Sequence, residues 1–163
     1  MILIDYVKYN YWANQKICGF VKELNNIQLF QEVNSSFKTI FDTAIHINDA
    51  ETIWFLRLQG KSLTNWPSET LKREKEVLIN ELLAVSKEFQ EFLTDKQESY
   101  FAGDCSFKTT KGDEFVMPIS HIIQHVFNHS TFHRGQLITM LRQLGYTNVE
   151  STDFITWSRL GMP

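Results

Sequence analysis

Apolar residues recur along most of the chain at three- and four-residue steps, which is the spacing that places them on one face of a helix. Four long stretches show this pattern, and turn-forming residues separate them. The predicted helices cover about residues 3–25, 36–59, 69–96 and 118–144. The opposite face of the third helix is dense in Lys and Glu, which indicates a surface exposed to solvent.

The ends of these helices carry residues suited to capping. Ser35 or Ser36 is suited to cap the second helix through its hydroxyl group. Gly60 follows that helix at the position where a left-handed backbone costs glycine little, and Gly145 ends the fourth helix. Pro118 suits the first turn of the fourth helix, where its missing N–H does no harm.

Residues 99–117 have no helical period. The run Lys111–Asp113 predicts a turn between two short β-prone segments, so we expect a small hairpin or an irregular crossover there. A short fifth helix is predicted over about residues 152–160. Together these elements predict an all-α fold: an antiparallel four-helix bundle with a small β-hairpin or irregular crossover between helices 3 and 4, and a short C-terminal helix.

Composition and charge narrow the possible functions. The 163 residues, 43% hydrophobic and 21% charged, fit a single globular domain spanning 1–163. A net charge of -3 without a Lys/Arg block argues against nucleic acid as a partner, and no apolar run reaches the ~20 residues of a membrane span. Cys18 and Cys105 stand outside any CxxC pair, and the N-terminus lacks a signal-peptide pattern. We therefore expect a cytoplasmic protein with buried, structural thiols.

All five histidines fall in two of the predicted helices. One lies in the second helix and four lie in the fourth at four-residue intervals: His46, then His121, His125, His129 and His133. Four residues advance a helix by about 400°, so neighbouring rings differ by ~40°, whereas the whole run accumulates ~120°. Two adjacent histidines of the run can therefore face a common centre, but all four cannot.

The apolar stripe of the fourth helix favours His129 and His133, and His125 stays a candidate on the same row. With His46 as a third imidazole, the site would keep open coordination positions, as catalytic zinc sites do. Imidazole also suits nickel, iron and copper, so the expected cofactor is one divalent transition metal: zinc or nickel first, with iron or manganese as alternatives. A bundle with hydrogen-bonded histidines and no metal is the competing interpretation.

Neighbouring polar residues are candidates to support such a site. Each ligating imidazole needs an acceptor for its other ring nitrogen, and the candidates are Asp42 and Asp49 on the helical row of His46, and Gln136 near the other pair. Arg134 is a candidate anchor for an anionic substrate, or else a surface salt-bridge partner. The spacing HSTFH matches that of HExxH proteases, but Ser130 replaces the glutamate base, which argues against such a protease.

The segment from His125 through His129 and His133 to Gln136 resembles the signature of the DinB-like family of bacterial metal-binding helix bundles. Three further segments are similar to that family: Tyr9–Asn14, the stretch from Ser36 through His46 and Trp54 to Gly60, and Asp153-Phe154. The similarity covers essentially the whole chain, and the HxxxHRGQ element is its most specific part.

The resemblance implies a four-helix bundle with a metal held by His46, His129 and His133, and with His125 as a neighbour rather than a ligand. It also implies a homodimer, because members are commonly dimeric. Some relatives use a metal-activated low-molecular-weight thiol, as S-transferases and thiol-dependent isomerases do. Others are described only as candidate metal-dependent hydrolases.

Three functions follow as hypotheses. The leading one is an enzyme that acts on a small-molecule substrate, in which the metal activates a small thiol for attack on an electrophile, as in an S-transferase. The second is a hydrolase that uses metal-bound hydroxide, with Arg134 or a nearby carboxylate orienting the substrate. The third is a non-enzymatic metal-binding or stress-response interaction module, whose metal site would be closed by a fourth protein ligand.

Overall fold

The computed structural model describes residues 2–162, most of which are helical. The helices are α1 Ile2–Glu23, α2 Asn26–Phe30, α3 Ile40–Leu58, α4 Lys75–Thr94, α5 Ile119–Gln143 and α6 Phe154–Arg159, and the strands are β1 Asp104–Lys108 and β2 Glu114–Pro118. Each of the long helices α1 and α3 packs against both α4 and α5, which closes a four-helix bundle. The predicted fold class is confirmed.

The second predicted helix begins later than its sequence pattern suggested. Helix α3 starts at Ile40, and its cap is Thr39, whose Oγ1 accepts a hydrogen bond from the backbone N–H of Asp42 at 3.0 Å. The prediction that Ser35 or Ser36 caps this helix was therefore wrong. The segment before it also holds the unpredicted helix α2, which begins with a capping box at Asn25.

The third predicted helix is also shorter at its start. Residues Pro67–Thr70 form a separate 3-10 helix, and α4 begins only at Lys75. The 3-10 helix is tied to α3, because Ser68 donates its backbone N–H and its hydroxyl to the carboxylate of Asp49 at 2.8 and 2.5 Å.

The hairpin between α4 and α5 is present as predicted. Strands β1 and β2 pair antiparallel, with Cys105 opposite Met117 and Phe107 opposite Phe115. The turn contains Gly112 at φ 93°, a left-handed conformation that glycine adopts without strain. Pro118 ends β2 and precedes α5, so it does not lie in the first helical turn as the sequence had suggested.

A buried carboxylate ties the long helices together. Glu51 on α3 is completely buried, and it accepts hydrogen bonds from Asn10 and Asn14 on α1, Ser86 on α4 and Ser130 on α5, at 2.5 to 2.9 Å. All four long helices therefore contribute a side chain to one polar network. A buried charge needs this degree of pairing, since each unpaired polar group costs free energy.

The positive counterpart of Glu51 is Arg134 on α5, which is 1% exposed. Its guanidinium donates to the side-chain oxygens of Asn10 and Asn14 at 2.6 and 2.9 Å, and to Thr131 at 2.8 Å. The two asparagine amides thus link the carboxylate to the guanidinium, donating to one and accepting from the other. The network fixes α5 against α1 and α3.

The C-terminal helix α6 docks on α1. Trp157 is fully buried there beside Tyr9 and Trp12, and the Tyr9 hydroxyl donates to the backbone oxygen of Thr152 at 2.7 Å. Cys18 and Cys105 are free and buried. Within residues 2–162, no helix is both long enough and apolar enough to cross a membrane.

Candidate metal centre

Three histidines from two helices meet at one point between α3 and α5. His46 comes from α3, and His129 and His133 come from successive turns of α5. Their candidate ligand nitrogens all lie within 4.8 Å of one another, and Nε2 of His46 lies 3.0 Å from Nε2 of His129. These are the three residues that the family resemblance implied as ligands.

The donor set fits a divalent transition metal. Two nitrogens that are each about 2.1 Å from one cation lie about 3.0 Å apart at a right angle and about 3.4 Å apart at the tetrahedral angle, and Nε2 of His46 lies 3.0 Å from Nε2 of His129. The other ring nitrogen of His129, Nδ1, is buried without a hydrogen-bond partner among residues 2–162, so this ring lacks the acceptor that usually supports a metal-ligating histidine. Histidine nitrogens that face each other in a partly buried site favour a shared cation, and imidazole suits zinc, nickel, copper and iron.

Burial keeps these imidazoles neutral. Desolvation and the nearby His133 lower the pKa of His46 from 6.5 to about 4. Desolvation lowers the pKa of His129 to about 4 as well, with further contributions from His133, His46 and His125. The pKa of His133 is lowered by burial, partly opposed by its hydrogen bond to Gln136. Neutral imidazole is the form that binds a metal, so the lone pairs are available at neutral pH.

Gln136 orients one of the three rings. Its Oε1 lies 2.8 Å from Nδ1 of His133, and its Nε2 donates to the hydroxyl of Ser36 at 2.9 Å. Because the amide is held from both sides, the ring of His133 is fixed in direction. Contacts of this kind support metal-ligating histidines. Gln136 was one of the residues that the sequence suggested as an acceptor for a ring nitrogen.

Phe37 packs directly on the histidines. Its ring centroid is 4.4 Å from that of His46 and 5.7 Å from that of His133. Phe37 falls within the predicted range 36–59 of the second helix, but the residue precedes α3 and covers the site instead. No local signal distinguished these two placements, because an aromatic residue beside a capping segment fits either.

A cavity of about 430 Å³ opens beside His46. Its walls combine apolar rings and aliphatic chains with charged groups, among them Phe37, Phe41, Asp42, Asp49 and Arg73. The space is large enough for a small molecule, and it adjoins the one histidine that α3 contributes.

The two aspartates near His46 have other partners. Asp42 pairs with Arg73 at 2.8 Å and accepts from the hydroxyl of Thr39, and Asp49 accepts both hydrogen bonds of Ser68. The suggestion that they hold the second ring nitrogen of His46 finds no contact in the structure. Asp49 still lines the cavity, and burial raises the pKa of its carboxyl group.

Arg134 does not face the site at all. It was expected either to anchor a substrate or to form a surface salt bridge, and its burial in the network with Asn10 and Asn14 rules out both. Ser130, which takes the place of a protease glutamate, donates instead to Glu51 at 2.9 Å. Glu51 was missed, although a charged residue one turn after Ile47 in the apolar stripe was a readable signal of a buried polar network.

The remaining histidines of α5 lie further out. His125 is exposed, and its ring centroid is 5.9 Å from that of His129 and 5.5 Å from that of Trp54. His121 is exposed at the start of the helix. The accumulated rotation along the run explains this, because each step toward the N-terminus turns the ring further from the centre.

Known proteins resemble this chain in sequence and in fold. The chain is 29% identical over 154 residues to the protein DinB of Bacillus subtilis strain 168, covering 90% of this chain and 88% of that protein. A crystal structure of a DinB-like protein from Bacillus cereus ATCC 10987 superposes with a TM-score of 0.66 at 20% identity, covering 86% of this chain and 90% of that one.

A second solved structure is similar in fold. YfiT from Bacillus subtilis, described as a probable metal-dependent hydrolase with an unusual four-helix bundle topology, superposes with a TM-score of 0.68 at 13% identity and covers 87% of each chain. The sequence profile of the DinB family matches residues 2–159, which is nearly the whole chain. The protein therefore belongs to the DinB family.

Proposed function

We propose that the protein is a metal-dependent enzyme whose single divalent transition metal is held by His46, His129 and His133. The observation that carries this proposal is the convergence of three neutral imidazoles from two helices, with their ligand atoms within 4.8 Å of one another. Zinc or nickel suits this donor set first, and iron or manganese are alternatives.

The site is built to leave coordination positions open. The cluster within residues 2–162 contains these three histidines and no fourth His, Cys, Asp or Glu, whereas structural zinc sites are closed by four protein ligands. The cavity that His46 lines can receive a substrate beside this residue. When bound, a divalent cation supplies a Lewis acid that polarises a carbonyl group and lowers the pKa of a water or thiol.

Hydrolysis is the reaction that the surroundings favour. Asp49 lies in the wall of the cavity that His46 also lines, and burial raises the pKa of its carboxyl group. A carboxyl group with a raised pKa is suited to accept and return a proton during hydrolysis. The description of YfiT, which shares the fold, as a probable metal-dependent hydrolase supports the same class of reaction.

Thiol transfer is the second candidate, because it needs no general base beside the metal. No carboxylate belongs to the histidine cluster in the described residues, and a thiol that loses its proton on binding a metal requires none. In this version the three histidines would hold the metal that activates a low-molecular-weight thiol, and the cavity would receive the electrophile.

Metal analysis of protein purified without an affinity tag tests the proposal. We expect one equivalent of a divalent transition metal in the wild type, and loss of that metal in the substitutions His46→Ala, His129→Ala and His133→Ala. His121→Ala is the matched control and retains the metal, because His121 is exposed at the start of α5. Metal retained in all three variants would overturn the assignment.

A substrate panel then separates the two reactions. Metal-loaded protein is assayed against esters, amides and lactams, and separately against a model electrophile with common bacterial thiols. Hydrolysis that requires the metal and falls in Asp49→Asn supports the first candidate. Conjugation that requires both the metal and a thiol supports the second. Inactivity in every assay would count against an enzyme.

A further inference from the structure

Arg57 is a buried cation near the end of α3. Its side chain is only 8% exposed, and its guanidinium carbon lies 4.5 Å from the ring centroid of Trp54 and 4.6 Å from that of Phe107. The two rings are themselves 5.0 Å apart at 75°, so they form two walls of a corner that contains the guanidinium. Aromatic faces attract a cation but provide no oxygen or nitrogen acceptor for its N–H groups.

The guanidinium lacks an anionic partner within residues 2–162. Its Nε is buried without a hydrogen bond, and no carboxylate forms an ion pair with it. The neighbouring ionisable group is Cys105, whose thiol donates to the backbone oxygen of Arg57 at 3.3 Å and whose pKa is raised by burial. A neutral thiol does not balance the charge.

Other arginines show what this position lacks. Arg134 is even more deeply buried, but it donates to three side-chain oxygens. Arg73 pairs with Asp42 at 2.8 Å. Buried charges are normally paired or hydrogen-bonded, because desolvation without compensation is unfavourable. Of the Arg57 donors only Nε is buried without a partner, and its two Nη groups, which make no hydrogen bond to residues 2–162, match the two oxygens of a carboxylate or phosphate.

A row of rings connects this corner to the histidine centre. The centroids of His129 and His125 are 5.9 Å apart, those of His125 and Trp54 are 5.5 Å apart, and Trp54 contacts Arg57. Along α3, Arg57 lies about 16 Å beyond His46, which is too far for one small anion to touch both.

We propose that Arg57 is a binding site for the carboxylate or phosphate group of a small molecule, separate from the metal centre. The guanidinium supplies the charge and the paired donors, and Trp54 and Phe107 exclude water from one side of the ligand. A ligand anchored there by its anionic end can lie along the row of rings toward the histidines.

Titration of metal-free protein with inorganic phosphate, and in parallel with acetate, tests this site. Ionic strength is kept constant, and binding is followed by nuclear magnetic resonance through the Nε–H of Arg57 and the indole N–H of Trp54. We expect both signals to shift and saturate, while the Nε–H of the exposed Arg142 does not saturate. The stronger of the two probes identifies the preferred anion, and shifts that stay linear with both would overturn the proposal.

Substitutions at Arg57 give a second, independent arm. Arg57→Gln removes the charge and should weaken anion binding, measured at the Trp54 signal, at least tenfold. Arg57→Lys keeps the charge but loses the paired donors of the guanidinium, so its affinity should lie between those of the wild type and Arg57→Gln. Arg142→Gln is the matched control and should bind as the wild type. Unchanged binding in Arg57→Gln would refute the site. Since no metal is present, failure of the metal assignment leaves this result unaffected, and the reverse also holds.

Discussion

Oε1 of Gln136 lies 2.8 Å from Nδ1 of His133. Since an amide oxygen only accepts hydrogen bonds, Nδ1 carries the proton and the lone pair of the ring resides on Nε2. Substitution Gln136→Leu removes this constraint and should weaken metal binding by about 10- to 100-fold, the usual cost of losing such a partner. Competition with a chromogenic metal indicator measures the affinity.

The control for this substitution is Gln143→Leu, which makes the same chemical change in the exposed last turn of α5. It should leave the affinity unchanged. Equal affinity in the Gln136→Leu protein would show that the ring of His133 needs no support from the amide.

The stability of the metal-free protein should fall as the solution is acidified. The pKa of His129 is about 4 in the folded protein, below the ordinary histidine value of 6.5 that the unfolded chain retains, so between these values the unfolded chain binds more protons. The free energy of unfolding therefore decreases as pH falls from 6.5 toward 4, and this residue has no effect above 6.5. Urea denaturation across this range measures the slope.

His129→Gln should flatten that slope, because the substituted side chain does not titrate. Comparison of the two slopes removes the contributions of other groups, including Asp49, whose raised pKa acts in the opposite direction. Identical slopes in the two proteins would contradict the lowered pKa of His129.

Loss of Arg134 should be the most costly of the substitutions described here. Arg134→Met leaves the side-chain oxygens of Asn10 and Asn14 without their buried donor, and each buried polar group left unpaired costs about 1–3 kcal/mol. Arg142→Met on the exposed surface should change stability by less than about 0.5 kcal/mol. Chemical denaturation of both variants measures the difference.

A double substitution, Glu51→Leu with Arg134→Met, should cost less than the sum of the two single changes, because neither charge is then left alone. Additive costs would indicate that the two groups do not act as one network.

Thr39→Ala should destabilise the protein by about 1 kcal/mol, the usual effect of removing a helix cap. The reason is the lost hydrogen bond from the backbone N–H of Asp42 to Oγ1 of Thr39. Ser35→Ala is the matched control, since that hydroxyl caps no helix. A larger loss in Ser35→Ala than in Thr39→Ala would place the start of α3 earlier than the structure does. Thermal unfolding of both variants provides the comparison.

The sequence was informative where a local pattern determines structure. Apolar periodicity located the long helices, the run Lys111–Asp113 located the hairpin turn, and the four-residue spacing of His129 and His133 placed two rings on one side of a helix. That His46 reaches the same point followed from the family resemblance, since spacing within one helix says nothing about a contact between two.

The errors lay where contacts distant in the chain decide the outcome. Ser68 lies in a separate 3-10 helix and donates two hydrogen bonds to Asp49, so the third long helix begins later than its sequence pattern predicted. Arg134 looked like a surface or substrate residue, because the partners that bury it are on α1, far away in sequence. Arg57 was not singled out, since its two aromatic neighbours come from different elements.

The network around Glu51 and Arg134 gives the bundle a source of stability that does not involve the proposed metal. Its hydrogen bonds join α1, α3, α4 and α5 through side chains alone. Small zinc-dependent domains unfold when the metal is removed, because the free energy of metal binding supplies their free energy of folding. In this bundle the side-chain network does not depend on a metal. We therefore expect the metal-free protein to stay folded and to bind a metal ion with little rearrangement of the site.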